Sequence, residues 1–352
     1  MERIKTLKVI DVVQETNDAI SIHFKQPFFK KIKYSSGQFL TLLVTIDGKV
    51  VRRCYSLNST PKVDKTISVT IKRIKDGKVS NFLFDTIKKG DKIKILYPMG
   101  DFTIEPKPEK ARHIILFGAG SGITPLFSIL KAILYAEPKS IVSLFYGNRD
   151  KESIIFNGFL NYYKEKFAER LNLIHIIEKP GDFKSCYKGR VEREQVPIYL
   201  KKVPQWDVDA TEYYICGPSG MMIEAEEGLK ACNIPEAKIH IERFSAPPPS
   251  ALETKKIGAF LENREIEILL KNTSHKMTVP AKSNILEAAL DEGIQVPYVC
   301  MDGICGSCKA QVKKGKVFMR EGHILSQEEV NEGFILPCIC NPISNNVVVE
   351  YA

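Results

Sequence analysis

Four cysteines restrict this chain more tightly than anything else in it. Three lie in one loop, Cys300-Met301-Asp302-Gly303-Ile304-Cys305-Gly306-Ser307-Cys308, at C-x4-C-x2-C spacing; the fourth, Cys338, follows within Leu336-Pro337-Cys338. Zinc sites usually set one C-x2-C pair against a second pair or against two histidines, and no such second pair is present. A disulfide framework fits poorly with an odd total of nine cysteines. The opening Met1-Glu2-Arg3-Ile4-Lys5 alternates charge with apolar residues, which argues against a secretory signal. Gly303 and Gly306 permit positive φ, so the backbone can bring N–H donors close to the sulfurs. The thiols read as ligands of one anionic centre.

The spacing resembles that of plant-type 2Fe–2S ferredoxins, in which four thiolates hold two sulfide-bridged irons. The resemblance implies Cys300, Cys305, Cys308 and Cys338 as the metal ligands. Cys340 competes for the fourth place, and Cys338 is chosen because Ile335-Leu336-Pro337-Cys338 is similar to the closing segment of those ferredoxins. Such a cluster carries one electron at a time and performs no substrate chemistry, so electrons must reach it from elsewhere.

A length of 352 residues implies two or three domains. The longest uncharged run, 114–130, is broken by glycines, serines, Thr124 and Pro125, and is too short to span a membrane. A reducing cytoplasm is expected, with no membrane insertion. The net charge of +9 is uneven: residues 256–352 sum to −2, leaving +11 on the rest. Because the lysines are scattered along strands and not gathered on one helix, nucleic-acid binding is not expected. A positive field would draw in phosphate-bearing cofactors.

Three patterns follow one another along the chain. Between residues 8 and 98 apolar residues alternate with period two, as at Ile20, Ile22 and Phe24 and at Ile67, Val69 and Ile71, punctuated by Asp47-Gly48 and Asp76-Gly77. About six strands at this spacing predict an antiparallel β-barrel. From 113 to 244 short apolar runs alternate with helical stretches, expected near 126–135, 152–167 and 219–231, which predicts a parallel sheet in an α/β layer. Ala246-Pro247-Pro248-Pro249-Ser250 then reads as a semi-rigid spacer. Beyond it, Ser326 and Glu329 form a capping box for a short helix. The expected domains are 1–108, 109–244, a linker at 245–255, and 256–352, the last an α+β domain of β-grasp type.

Arg53-Cys54-Tyr55-Ser56 follows the Asp47-Gly48 turn, and Arg53 and Tyr55 share one face of the strand. Thr70-Ile71-Lys72-Arg73 and then Gly77-Lys78-Val79-Ser80 come at a short distance, and Ser80 is expected to cap a helix whose N–H groups face a pyrophosphate. In the second segment, Gly118-Ala119-Gly120-Ser121-Gly122-Ile123-Thr124-Pro125 joins a strand to a helix, and Cys216-Gly217-Pro218 ends a later strand. Both turns would lie where open α/β sheets bind ligands. Arg149 and Lys151, after the second strand, suit a 2′-phosphate; Asp150 between them suits a ribose hydroxyl instead.

Together these motifs resemble the ferredoxin–NADP reductase family, and with the C-terminal cysteines the whole chain is similar to the reductase components of bacterial multicomponent oxygenases. The resemblance is strongest to the phenylacetyl-CoA epoxidase type, with ketosteroid hydroxylase reductases as near relatives. It implies FAD and a 2Fe–2S cluster, and Arg149 with Lys151 turns the expected nicotinamide cofactor toward NADPH, with NADH as the alternative. It implies Arg53 at the flavin pyrophosphate, Tyr55 against the isoalloxazine, Ser56 near its reactive nitrogen, and Thr70, Lys72, Gly77, Lys78, Val79 and Ser80 around it. Gly118, Gly120, Gly122, Thr124, Arg149, Cys216, Gly217 and Pro218 are implied around the nicotinamide cofactor, with Glu242 near the contact of the two rings. The implied activity is electron transfer from NAD(P)H through FAD and the cluster to a partner oxygenase. The other readings are a different client, such as a steroid or Rieske oxygenase or a desaturase, or a redox-sensing carrier without turnover.

Overall fold

Alternation in the first segment becomes six strands: β1 (Ile4–Thr16), β2 (Ala19–Phe24), β3 (Phe39–Ile46), β4 (Lys49–Ser56), β5 (Ile67–Lys72) and β6 (Lys92–Met99). The structure, a computed structural model, describes residues 4–246, 253, 258, 262–281 and 283–351. All pairings among these strands are antiparallel, in the order β4-β3-β6-β1-β2-β5. A bridge between Leu57 and Val69 joins the two ends of that order and closes the ring. Along its own length β4 pairs with β3 alone, and the inward rows, among them Ile22, Leu42, Ile71 and Ile95, are fully buried. Helix α1 (Lys78–Thr86) seals the barrel with Val79 and Leu83.

The second segment forms six parallel strands: β7 (His113–Ala119), β8 (Ile141–Asn148), β9 (Leu171–Ile177), β10 (Cys186–Lys188), β11 (Thr211–Cys216) and β12 (Ile239–Glu242). Their order is β10-β9-β8-β7-β11-β12, so the winding reverses between β7 and β11. Helices α2 (Ile123–Ala136), α3 (Asn157–Lys166), α4 (Val196–Leu200) and α5 (Ser219–Ala231) cover the sheet. Both faces are therefore apolar, and β7 and β8 are buried along nearly their whole length. Helix α2 begins at Ile123, three residues before its expected start. Pro125 lies in the first turn, where a missing N–H costs no hydrogen bond. Helix α3 begins later than expected, because Asp150 and Ser153 close a separate capped turn and Phe156 takes a left-handed φ of 63°.

Barrel and α/β layer belong to one compact unit, Met1–Glu242. Thr60 Oγ1 donates to the Ser128 carbonyl at 3.0 Å, and Ser128 Oγ donates to the Ser59 carbonyl at 2.6 Å. The buried Lys131 ammonium on α2 pairs with Asp64 of the barrel.

The second unit is Arg243–Ala352. Of the expected linker at 245–255, only Ser245, Ala246 and Glu253 fall among the described residues, and Pro247, Pro248, Pro249 and Ser250 lie outside them. The unit holds β13 (Arg264–Leu270), β14 (Thr273–Val279), helix α6 (Ile285–Asp291), β15 (Ala310–Lys314), β16 (Val317–Met319), helix α7 (Gln327–Asn331), β17 (Phe334–Ile335), β18 (Cys340–Pro342) and β19 (Val347–Tyr351). Five strands run in the order β14-β13-β19-β15-β17, with β13 and β19 parallel inside an otherwise antiparallel sheet. Helix α6 lays Ile285, Leu286, Ala288 and Ala289 on this sheet against Ile266 and Ile268. Ser326 caps α7 in the expected box with Glu329.

Candidate functional site

The cysteine loop leaves β14 and α6 and wraps back toward β15. Gly303 and Gly306 hold φ of 75° and 68°, and Met301 joins them at 63°, so the loop folds tightly on itself. Cys300, Cys308 and Cys338 are buried and Cys305 is half-buried. The Cys308 and Cys338 sulfurs stand 3.4 Å apart, and the Asp302 N–H donates to the Cys300 sulfur at 3.3 Å. Hydrogen bonds from the Cys305 and Cys338 thiols push the Cys300 thiol down against the cost of burial, with the Asp302 and Ile304 N–H groups adding to them. All four expected thiols thus converge. Among the described residues no three His, Cys, Asp or Glu side chains surround a single ion position. A two-iron group asks for only two thiolates per iron, so the donor set fits it. Cys340 is fully buried on β18, opposite Met319, and burial pushes its thiol well up.

In the barrel, β4 sets Arg53 opposite Leu42 and Tyr55 opposite Leu40, and ends in the buried Ser56. Burial pushes the Tyr55 phenol up, with the Arg53 charge acting against it. One guanidinium N–H of Arg53 donates to the Arg52 carbonyl at 2.8 Å. Ser80 does not cap α1. The helix starts at Lys78 with Gly77 as N-cap, ahead of the start that a Ser80 cap implies, because the Ser80 hydroxyl is turned back to accept from the Ile74 N–H at 3.3 Å. No side chain caps the first turn and no acidic residue lies in it, which leaves its N–H groups available to an anion such as a pyrophosphate. Lys78 pairs with Asp47 at 3.1 Å. Two other expected contacts point elsewhere. The Val79 side chain is in the barrel core, and the Thr70 hydroxyl belongs to a buried network with Ser21 and Asn58.

The α/β layer opens a cleft of about 670 Å³ at the carboxyl ends of its strands. This is the switch point between β7 and β11, where an open sheet leaves room for a ligand. Gly120 takes φ 52° in a single 3-10 turn, Gly120–Gly122, and Gly122 lies so near the Cys216 carbonyl that no Cβ fits. Gly118 sits on β7 behind this turn, and Thr124 Oγ1 fastens the turn by donating to the Ser121 carbonyl at 3.0 Å. Cys216 is buried, and Gly217 and Pro218 turn past it into α5, whose Met221 lines the cleft. Glu242, paired in register with Cys216, has its pKa pushed up to about 7 by burial first and by the Asp101 carboxylate second.

Lys72 lies at this cleft beside Gly120, 3.6 Å from Asp18. The far margin carries Arg149 and Arg190. Arg149 Nε donates to Asp150 Oδ2 at 2.8 Å, while Asp150 Oδ1 accepts from the Ser153 N–H at 2.9 Å, so both carboxylate oxygens are engaged. Arg190 forks onto Glu178 at 3.1 and 3.0 Å. Asn148, next to Arg149 in the Tyr146-Gly147-Asn148-Arg149 stretch, lines the cleft, and Arg190 and Glu178 line it without having been singled out in the sequence. These two each stand alone between ordinary residues, and only the parallel pairing of β8, β9 and β10 brings them together.

A closed barrel beside a doubly wound sheet, joined in one chain to a four-thiol loop, defines a flavin-, nicotinamide- and 2Fe–2S-binding reductase. Family models agree: the oxidoreductase FAD-binding domain matches residues 6–104, the oxidoreductase NAD-binding domain 116–227, and the 2Fe-2S iron-sulfur cluster binding domain 269–342. The chain is 33% identical to a 1,2-phenylacetyl-CoA epoxidase subunit of Escherichia coli (strain K12), over 100% of this chain and 98% of the relative. It is 36% identical to the 3-ketosteroid-9-alpha-monooxygenase ferredoxin reductase component of Mycolicibacterium smegmatis, over 98% of this chain and 96% of that one. The fold matches phthalate dioxygenase reductase with a TM-score of 0.69 at 23% identity, over 99% of this chain and 98% of that chain. The chain belongs to the family of oxygenase reductase components and is an NAD(P)H-dependent oxidoreductase with FAD, nicotinamide and 2Fe–2S domains. Among the described residues no helix is long and apolar enough to cross a membrane.

Proposed function

We propose that this reductase serves a cytoplasmic oxygenase of the phenylacetyl-CoA epoxidase type, with NADPH as its electron donor. The flavin domain is assigned to 1–108, the nicotinamide domain to 109–244, the linker to 245–255 and the cluster domain to 256–352. The observation that carries the reading is the convergence of Cys300, Cys305, Cys308 and Cys338, in a chain whose α/β sheet opens a ligand cleft at its switch point.

When bound, the flavin and the cluster supply the conversion of a two-electron hydride donor into single electrons. The chain's own residues bind and orient. Arg53 and the first-turn N–H groups of α1 hold the flavin pyrophosphate, Tyr55 offers its ring to the isoalloxazine, and the Ser56 hydroxyl offers a hydrogen bond near the reacting nitrogen. Lys72, Gly77 and Lys78 add charge and backbone donors. The turns at Gly118–Gly122 and Cys216–Pro218 grip the nicotinamide cofactor by backbone, and Glu242 sits behind the second of them. Arg149 and Arg190 at the margin favour a 2′-phosphate. Asp150, with both oxygens engaged, is poorly placed to accept from a ribose hydroxyl. Cys300, Cys305, Cys308 and Cys338 hold the cluster.

The test is steady-state reduction by the reconstituted protein. NADPH should outperform NADH with ferricyanide, and electrons should reach a phenylacetyl-CoA epoxidase oxygenase component. Failure to oxidise either nicotinamide would overturn the assignment. The 36% identity to the ketosteroid component favours a second client, a steroid monooxygenase. Coupling to that oxygenase and not to the epoxidase would select it.

A further inference from the structure

Between β2 and β3 the barrel holds two phenylalanines out in water. Phe28 is 85% exposed and Phe29 94% exposed, and their rings meet edge to face at 5.1 Å. Isolated exposed apolar residues are ordinary, but a paired aromatic tip is not. The loop that carries it is built. The Ile32 N–H donates to Gln26 Oε1 at 2.9 Å, and Gln26 Nε2 donates to the Ile32 carbonyl at 3.2 Å, closing a neck beneath residues 27–31. Ile32 itself is 2% exposed in the barrel core. The same short segment therefore buries one apolar side chain and displays two larger ones.

The charge carried by the loop itself has one sign. Lys25, Lys30, Lys31 and Lys33 are all exposed, and no Asp or Glu occurs from residue 19 to residue 46. At the loop's root the Lys25 N–H donates to the Lys8 carbonyl and Lys8 pairs in register with Lys92, while the acidic residues near the root, Asp11 on β1 and Asp91 just ahead of β6, sit on the barrel below it. The loop also leaves the barrel away from the cofactor cleft. Strand β2 starts at Ala19 opposite Lys72, which lines the cleft, and ends at Phe24 opposite Ile67.

We propose that this loop is a docking point for an anionic lipid surface. The two rings would enter the boundary between headgroups and acyl chains, while the flanking ammonium groups stay at the level of the phosphates. A bilayer fits better than a protein partner for two reasons. The tip is a convex pair of rings and offers no groove or free strand edge. The exposed lysines that flank it in the chain match a uniformly negative layer with no need for register. Contact of this kind is shallow and reversible and requires no spanning helix. It departs from the expectation of a chain that makes no membrane insertion, and it goes beyond the electron-transfer reading.

The experiment is vesicle co-sedimentation of the holoprotein, with phosphatidylcholine alone and with phosphatidylcholine containing phosphatidylglycerol. Binding is expected only to the anionic vesicles and should weaken as salt is added. Phe28→Ser with Phe29→Ser should lower partitioning by about tenfold for each ring removed. Lys30→Ala with Lys31→Ala should weaken binding and flatten its salt dependence. Both variants should keep wild-type ferricyanide reduction, which shows that they are folded. No binding by the wild-type protein, or equal binding by the Phe variant, overturns the proposal. So does a Phe variant that loses only coupling to an oxygenase, or only self-association, since either would make the tip a protein contact.

Discussion

Gly122 and Cys216 meet backbone to backbone: a Cβ on Gly122 would lie 2.0 Å from the Cys216 carbonyl oxygen. That contact lets the first glycine turn and the Cys216-Gly217-Pro218 turn lie side by side at the switch point between β7 and β11. Nothing at the contact is flexible, since the obstructing atoms are main chain. Gly122→Ala must push the two turns apart, at a cost of about 1–3 kcal/mol. The expected outcome is a lower melting temperature and a raised KM for the nicotinamide cofactor. Retention of both at wild-type values would show that the turns do not need this approach.

Arg112 and Glu137 form a buried fork, with Nε and a terminal nitrogen at 3.1 and 2.7 Å from the two carboxylate oxygens. Ser140 Oγ and the Lys107 N–H complete the shell at 2.6 and 2.9 Å. Burial alone would raise the Glu137 pKa, but the hydrogen bonds from Arg112, Ser140 and Lys107 outweigh it and hold the group below its ordinary 4.5. A depressed carboxylate contributes stability that is present above 4.5 and lost as pH falls through the folded value. Glu137→Gln leaves the Arg112 charge uncompensated and should destabilise the unit by about 3 kcal/mol at neutral pH. The difference should shrink in acid. Urea unfolding at the two pH values measures it.

Glu242 carries the opposite sign. Its pKa is raised from 4.5 to about 7, so folding favours the protonated carboxyl. Its contribution is complete below 4.5 and is lost as pH rises through 7. Glu242→Gln removes that loss. The variant should match wild type in acid and exceed it above pH 7 by about 1–2 kcal/mol, allowing for residual solvent. Thermal unfolding across this range would show the two curves separating upward; parallel curves would mean that the carboxyl is not held in this environment.

What the sequence made legible is what chemistry forces into fixed spacing. The C-x4-C-x2-C loop, the glycine turn at 118–122 and the Cys216-Gly217-Pro218 turn each depend on neighbours in the chain, and the structure brings each set together. The strand alternation was legible because one face must be dry. The pairing of Arg190 with Glu178 was not, since it exists only through the register of β9 with β10. Nor was the fate of Ser80, whose hydroxyl had the Ile74 N–H as a nearer partner than a helix terminus. Helix α6 went unexpected although Asn284 and Glu287 form a capping box, because two turns give its period too little length to stand out.

The choice of fourth thiol can be decided directly. Cys338 sits in the short turn Pro337–Ile339 with its sulfur 3.4 Å from that of Cys308, whereas Cys340 points into the sheet core with no exposed surface. Cys338→Ser should abolish the two-iron absorbance while leaving flavin-dependent ferricyanide reduction in place. Cys340→Ser should keep the absorbance and lose about 1–3 kcal/mol of stability, the cost of a buried hydroxyl. These outcomes are asymmetric: a thiol that ligates iron is lost as a spectrum, and one that packs is lost as a melting temperature. The reverse pattern, with Cys340→Ser bleached and Cys338→Ser coloured, would move the fourth ligand two residues along the chain.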